Sequence, residues 1–249
     1  MINFYNTIVA TKEFELTQKY FKEVFMKMNF GVCSTSPSNK MLKNGYTMYE
    51  WVKRQKCFPK FWGRNISGQN AITEDEIVFL KEKGCKILLV FNDLTEAKVS
   101  AVNGTEGALK AVEAAKKLGV PQNHGVALFA EIKSEWSVNH NWMISFAHII
   151  ATNGYTPAFI GNTDSSKNFN FDRQCSHFVQ ATKDMNCFNT VFMATEPKCV
   201  GTPDEWLPYC PSVLDPNDID LWSCGKTVFG QIEVEDIYAK DDKVFKNMW

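Results

Sequence analysis

The chain has 249 residues, a formal net charge of −1 and 22% charged residues. With no basic stripe and no acidic tail, this balance favours no nucleic acid or other charged polymer as partner. The length suits one domain up to the size of an α/β barrel, and no low-complexity linker divides it.

The opening stretch MINFYNTIVATKEFELTQKYF has no basic n-region, no continuous apolar core and no small-residue cleavage site. No segment reaches the roughly 18 to 20 apolar residues of a membrane span. The chain is therefore expected to lack a signal peptide and a membrane span, and to be cytoplasmic or released by a non-classical route. Its eight cysteines form no C-x-x-C pair, and several fall in apolar runs, so free thiols are expected. Cys199, Cys210 and Cys224 are the trio in which a disulfide stays open. His124, His140, His148 and His177 match no zinc-ligand spacing with the cysteines or carboxylates, so no metal or cofactor is expected.

Phe21, Val24, Phe25 and Met28 recur at helical spacing, which predicts an amphipathic N-terminal helix and divides the chain into an extension, 1–28, and a main body, 29–249. NFGVCS is the first strand, with Ser36-Pro37 read as N-cap and first turn of a helix. PKFWGR (59–64) is the second, followed by a Thr73/Glu76 capping box and a helix that stops at Gly84. KILLVF (86–91) is the third, closed by Asn92-Asp93. A helix over about 106–118 follows, with Ala108, Ala111, Val112 and Ala115 on one face and Gly119 as its stop.

The fourth strand lies in VALFAEIKSEW (126–136), where an apolar run ends in Glu131, Lys133 and Glu135, spaced two apart and so on one face of an extended chain. A helix from about 139 presents Trp142, Phe146, Ile149 and Ile150 and stops at Gly154. TPAFIG (156–161) is the fifth strand, and Cys175, Phe178, Val179 and Thr182 mark the helix after it. Beyond 187 the candidate strands NTVFMAT (189–195), DIDLWS (218–223) and TVFGQIEV (227–234) have no long helix between them. Five βα units followed by three strands predict an α/β chain closed into a TIM-like barrel. A doubly wound open sheet competes, but no G-x-G-x-x-G or P-loop follows an early strand.

Chemistry in such barrels gathers at the C-terminal strand ends. The residues expected there include Cys33, Arg64, Asn92, Asp93, Glu131, Lys133, Asn162, Glu196, Trp222, Glu233, Glu235 and Asp236. Carboxylates among aromatic rings at a barrel mouth suit glycoside hydrolysis, in which one carboxyl donates a proton and another acts as base or nucleophile.

Several motifs in order carry a resemblance: G-V-C-S-T-S-P (31–37), P-K-F-W-G-R (59–64), the A-I-T-E-D-E segment (71–76), L-G-V-P (118–121), F-A-E-I (129–132) and N-G-Y-T-P-A-F-I-G-N-T (153–163). Together they resemble the bacterial glycoside-hydrolase-like barrel domain, a relative of the family-25 muramidases that cleave peptidoglycan. The likeness is close over 30–163 and looser beyond, through D-L-W (220–222) and the final strand. It implies a barrel of five βα units closed by three strands.

The resemblance also exposes departures. That family ends strand one in Gly-x-Asp, where this chain has Cys33, and strand four in Asp-x-Asp or Asp-x-Glu, where it has Glu131 and Lys133. Lys133, on the face of Glu131, is expected to hold that carboxyl ionised and depress its pKa, the wrong direction for a general acid. The leading expectation is thus a degenerate site, inactive or weakly glycan-binding. One alternative is an active cell-wall glycan hydrolase in which Glu131 pairs with Asp93, Glu196 or Glu235. Arg64, Asn92, Lys133, Trp136 and Trp222 would then contact substrate, with Trp62 as a further sugar platform. Another alternative is a structural or self-assembling protein that uses the N-terminal helix and the aromatic end Phe245, Met248, Trp249.

Overall fold

Eight extended segments account for the sheet, the first six of them five or six residues long. A computed structural model describes residues 28–164, 170–185, 189–195, 203, 205–229 and 232–249. The predicted N-terminal helix, apart from Met28, lies outside the described residues, as do Cys187, Glu196 and Cys199.

The order is β1 (Asn29–Cys33), α1 (Met48–Gln55), β2 (Phe61–Asn65), α2 (Glu74–Glu82), β3 (Lys86–Phe91), α3 (Glu96–Val99), α4 (Thr105–Lys117), β4 (Ala127–Glu131), α5 (His140–Thr152), β5 (Thr156–Gly161), α6 (Asn170–Met185), β6 (Val191–Thr195), β7 (Leu221–Phe229) and β8 (Ile232–Ala239). The strands close into a barrel in chain order. Neighbours from β1 to β7 run parallel, and β8 runs antiparallel to both β7 and β1. Among the described residues no helix is long and apolar enough to cross a membrane.

Side-chain alternation sorts the strand residues into two cores. Inward-facing Phe61, Leu88, Val90, Phe129, Ile160 and Met193 fill the barrel, joined from below by Val244 and Met248 of the last turn. Outward-facing Val32, Trp62, Leu89, Phe159 and Phe192 meet the helices, as in the Phe146–Phe159–Phe178 ring contacts at 6.0 and 5.2 Å. Each such fully buried apolar side chain contributes about 1.5–3 kcal/mol.

The C-terminus is the barrel floor. Phe245 lies 6.2 Å from the Phe61 ring, and Trp249 exchanges two backbone hydrogen bonds with Ile87, both at 2.9 Å. The aromatic end proposed for self-association is thus occupied within the chain's own fold.

Three local expectations are corrected. Ser36-Pro37 opens no helix; Ser36 N–H instead bonds Ser34 Oγ at 3.0 Å, and α1 begins at Met48 behind a full Thr47/Glu50 capping box. At α2 only half of the expected box forms: Thr73 accepts from Glu76 N–H, while the Glu76 carboxylate is used elsewhere. The last two strands form one long hairpin, because β7 continues through a bulge between Ser223 and Lys226, and β8 starts near residue 232. The foreseen helix stops hold, Gly84 and Gly119 taking left-handed φ of 68° and 77°.

Candidate functional site

The mouth lies where β1 to β7 end and the antiparallel β8 begins. Counting inward parity from the core residues brings Cys33, Glu131, Ser223 and Glu235 to this end from four different strands. They line a cavity of about 660 Å³ whose base is Val90, Ile160 and Met193 and whose edge carries Lys133, Glu135, Lys226 and Glu233. A second cavity, of about 770 Å³, sits between the starts of α5 and α6 around His140 and His177. It lacks a facing carboxylate pair, and among the described residues no group of three or more His, Cys, Asp or Glu is arranged to hold a metal ion.

Burial pushes the Glu131 carboxyl above the ordinary glutamate range, Lys133 and Lys226 oppose this, and Glu135 adds to it. Lys133 lowers the Glu131 pKa as expected, but desolvation outweighs the two cations and the net shift is upward. Lys133 is drawn aside, its ammonium 5.1 Å from the centre of the Trp136 ring.

Burial also raises Glu235. A hydrogen bond from Ser223 Oγ opposes that rise, and the charge of Glu131 reinforces it. Like-charge coupling disfavours ionising both carboxyls together, so one proton is retained on the pair over the interval between their titrations. Lys133 and Lys226 favour the ionised form of Glu131, and Lys226 with the Ser223 hydrogen bond favours that of Glu235.

Cys33 stands in hydrogen-bond register with Glu235 on β8 and with Gly63 on β2. A Cβ built on Gly63 would come 2.0 Å from its sulfur, so glycine is what admits the side chain. Burial, Glu235 and Glu131 together drive the thiol well above its usual range, which keeps it protonated and a poor nucleophile. Lys226 is held by Glu233 at 2.5 Å on the solvent side, and that contact raises the Lys226 pKa.

The remaining sequence candidates are dispersed. Arg64 faces outward and is 1% exposed, its guanidinium committed to Glu76, Ser34 O and Asn70 O. Asp93 is exposed and lies 3.7 Å from Lys98, and Asn92 accepts from Ser67 Oγ at 3.5 Å; neither lines the mouth cavity. Asp236 points outward to an ion pair with Lys56.

Trp62 and Trp222 are on the outer side of the wall, against Tyr49 and Trp206. Strand parity turns both away from the mouth, and neither lines its cavity. Trp136 is half-buried under Lys133 and does not line the cavity. Ser223 and Lys226 were not foreseen; the inward phase of Leu221 points to Ser223, while Lys226 reaches the same face only through the bulge that follows. The described cysteines Cys33, Cys57, Cys85, Cys175 and Cys210 are free thiols.

No protein-family model and no curated relative matches the chain. Among solved structures it is similar to an uncharacterized B. stearothermophilus protein, with 22% identity and a TM-score of 0.72 over 89% of this chain and 100% of that one. It is similar to a Tat-secreted protein of Mycobacterium tuberculosis crystallised with L-tartrate, with 10% identity and a TM-score of 0.54 over 88% and 97% of the two chains. It also matches the catalytic domain of an endolysin from bacteriophage P40 of Listeria monocytogenes, with 16% identity and a TM-score of 0.51 over 88% and 98%. What these chains share is a fold. At such identities the likeness covers the barrel from end to end and leaves the chemistry of this mouth to its own residues.

Proposed function

We propose that the mouth cavity is a glycan site and that the chain is a glycoside hydrolase of the muramidase type, with Glu131 and Glu235 as its carboxylate pair. The carrying observation is that these two glutamates, from β4 and β8, line one cavity, are both raised by burial, and are coupled so that the charge of Glu131 raises Glu235. Glycoside hydrolysis needs that inequality, a protonated carboxyl to protonate the leaving oxygen and an ionised one to act as base or nucleophile. Glu235 is the acid in this reading and Glu131 the ionised partner. Strand five's neighbour in the mouth, Asn162, and the displaced Lys133 then remain for substrate contact. The barrel, in this reading, is a TIM-type one of five βα units and three closing strands, spanning 29–249 behind an N-terminal extension. The endolysin likeness supports the choice of a cell-wall glycan as substrate class.

A second reading, a glycan-binding relic, is favoured by Cys33 and Lys133 in positions where the resembled family carries acids. Incubation with peptidoglycan and chitin fragments separates the two, following both release of reducing ends and retention on insoluble polymer. Turnover that disappears in Glu131→Gln and in Glu235→Gln supports the hydrolase. Retention without turnover supports the relic, and neither activity removes the glycan reading.

A further inference from the structure

Two motif residues take no part in the proposed chemistry, Arg64 at the end of P-K-F-W-G-R and Glu76 in A-I-T-E-D-E. They meet behind the barrel wall as an ion pair in which both side chains are 0% exposed. Arg64 Nε donates to both Glu76 oxygens, at 2.9 and 3.1 Å. The rest of each group grips the segment that follows β1. Arg64 Nη1 donates to Ser34 O at 2.7 Å, and Glu76 Oε1 accepts from Ser38 N–H at 2.6 Å. A further Arg64 nitrogen holds Asn70 O at 3.1 Å on the segment after β2.

We propose that Arg64 and Glu76 are positioning residues that set the β1 wall of the mouth cavity by fixing both ends of segment 34–38. The proposal takes that cavity as the glycan site argued above. Ser34 and Thr35, in the gripped segment, line the cavity next to Cys33. The segment is not helical; Ser34 N–H bonds Gly63 O at 3.2 Å and Ser38 O accepts from Tyr49 N–H at 2.9 Å, and between these ends runs the turn bond from Ser36 N–H to Ser34 Oγ, so the Ser34 carbonyl and the Ser38 amide are left to the ion pair. A buried Arg–carboxylate pair is a weak source of net stability, because desolvation offsets its attraction, but its planar fork fixes directions well. Here those directions are the Ser34 carbonyl and the Ser38 amide. The pairing also explains why a glutamate at the third residue of α2 leaves its own helix cap incomplete.

The test uses the full chain and the double variant Arg64→Met/Glu76→Met, since replacing both partners leaves no unpaired buried charge and is the change such sites tolerate best. Amide hydrogen exchange is followed across 34–38, with alkylation of Cys33 by iodoacetamide mapped by mass spectrometry and exposed Cys57 as internal control. The expected result is exchange about tenfold faster at 34–38, as loss of one hydrogen bond allows, with faster Cys33 alkylation and unchanged Cys57 in a protein that still melts cooperatively. Native exchange and native Cys33 alkylation in the folded double variant overturn the proposal. Should that variant not fold, Arg64→Lys, which keeps a charge for Glu76 but loses the fork that reaches the Ser34 and Asn70 carbonyls, decides on the same readouts: a selective rise at 34–38 supports positioning, and a native pattern or a rise spread over the barrel overturns it. Retention on peptidoglycan is measured in parallel. Selective loosening in a protein whose native form never retains glycan keeps the positioning role and removes the glycan reading.

Discussion

Asp220 offers the most quantitative test of how burial acts in this barrel. It precedes β7 on the floor side, where its backbone is pinned to Phe192 O and Lys240 N–H, both at 3.0 Å, and its carboxylate accepts from Phe192 N–H at 3.1 Å. Burial pushes its pKa from 3.8 to about 6, against the Phe192 bond and the Lys240 and Lys246 charges, with Asp241 adding to the rise. At about 1.4 kcal/mol per unit, the carboxyl therefore costs on the order of 3 kcal/mol when ionised in the folded chain. A pKa raised by folding gives a contribution that is fully present below the unfolded value near 4 and is lost as pH climbs through about 6. Asp220→Asn keeps an oxygen acceptor for Phe192 N–H and removes the charge. Urea unfolding should show the variant more stable than the native chain by about 2–3 kcal/mol at pH 7.5 and nearly equal to it at pH 4, with the gain appearing between pH 4 and 6. A variant equally or less stable at pH 7.5, or one with the same gain at both pH values, would refute the argument.

The proposed carboxyl pair sets a bell-shaped pH dependence of turnover, with both limbs above the ordinary glutamate range because burial raises both groups. A rate that follows a single unperturbed carboxyl would contradict it. Cys33→Asp adds a third carboxylate beside Glu131 and Glu235, so it should lower stability at pH 8 and much less at pH 5; a pH-independent effect in urea unfolding would count against that crowding. Gly63→Ala forces a Cβ onto the Cys33 sulfur and should cost about 1–3 kcal/mol, most of it recovered in the double variant with Cys33→Ala. An additive double variant would mean that the strain lies elsewhere.

Sequence periodicity served where an element's ends are marked by its own residues. β3 and β5 coincide with KILLVF and TPAFIG because turn residues bound both runs. It misled where a partner is distant in the chain. Ser36-Pro37 has the form of a helix start, yet the segment around it is held by Arg64 and Glu76, and the helix waits for Thr47. Glu76 carries the spacing of a capping box, but Arg64, twelve residues earlier, takes the carboxylate once β2 and α2 pack together. Trp62 and Trp222 sit at plausible strand ends, and only the phase of each strand turns them outward. Glu131 was legible because Ala127 and Phe129 declare its phase. Glu235 was named without its reason, since the bulge in β7 and the true start of β8 decide which face it takes.

That phase explains how the mouth can carry an acid pair although β1 ends in a thiol. Cys33 and Glu235 are opposed across the antiparallel β1–β8 ladder, so their side chains leave neighbouring points on the same wall. A carboxylate contributed by β8 therefore reaches the region that one from the end of β1 would serve. Under the proposed function β8 supplies the second carboxylate of the cavity, with Ser223 donating to it and Lys226 in register beside it. The smaller, neutral Cys33 side chain then follows from the same geometry, because an acid there would crowd Glu235 from the next strand while Glu131 raises both. On this argument Cys33→Asp does not restore a missing catalytic group, and turnover should fall in that variant even at the acidic pH where its stability recovers.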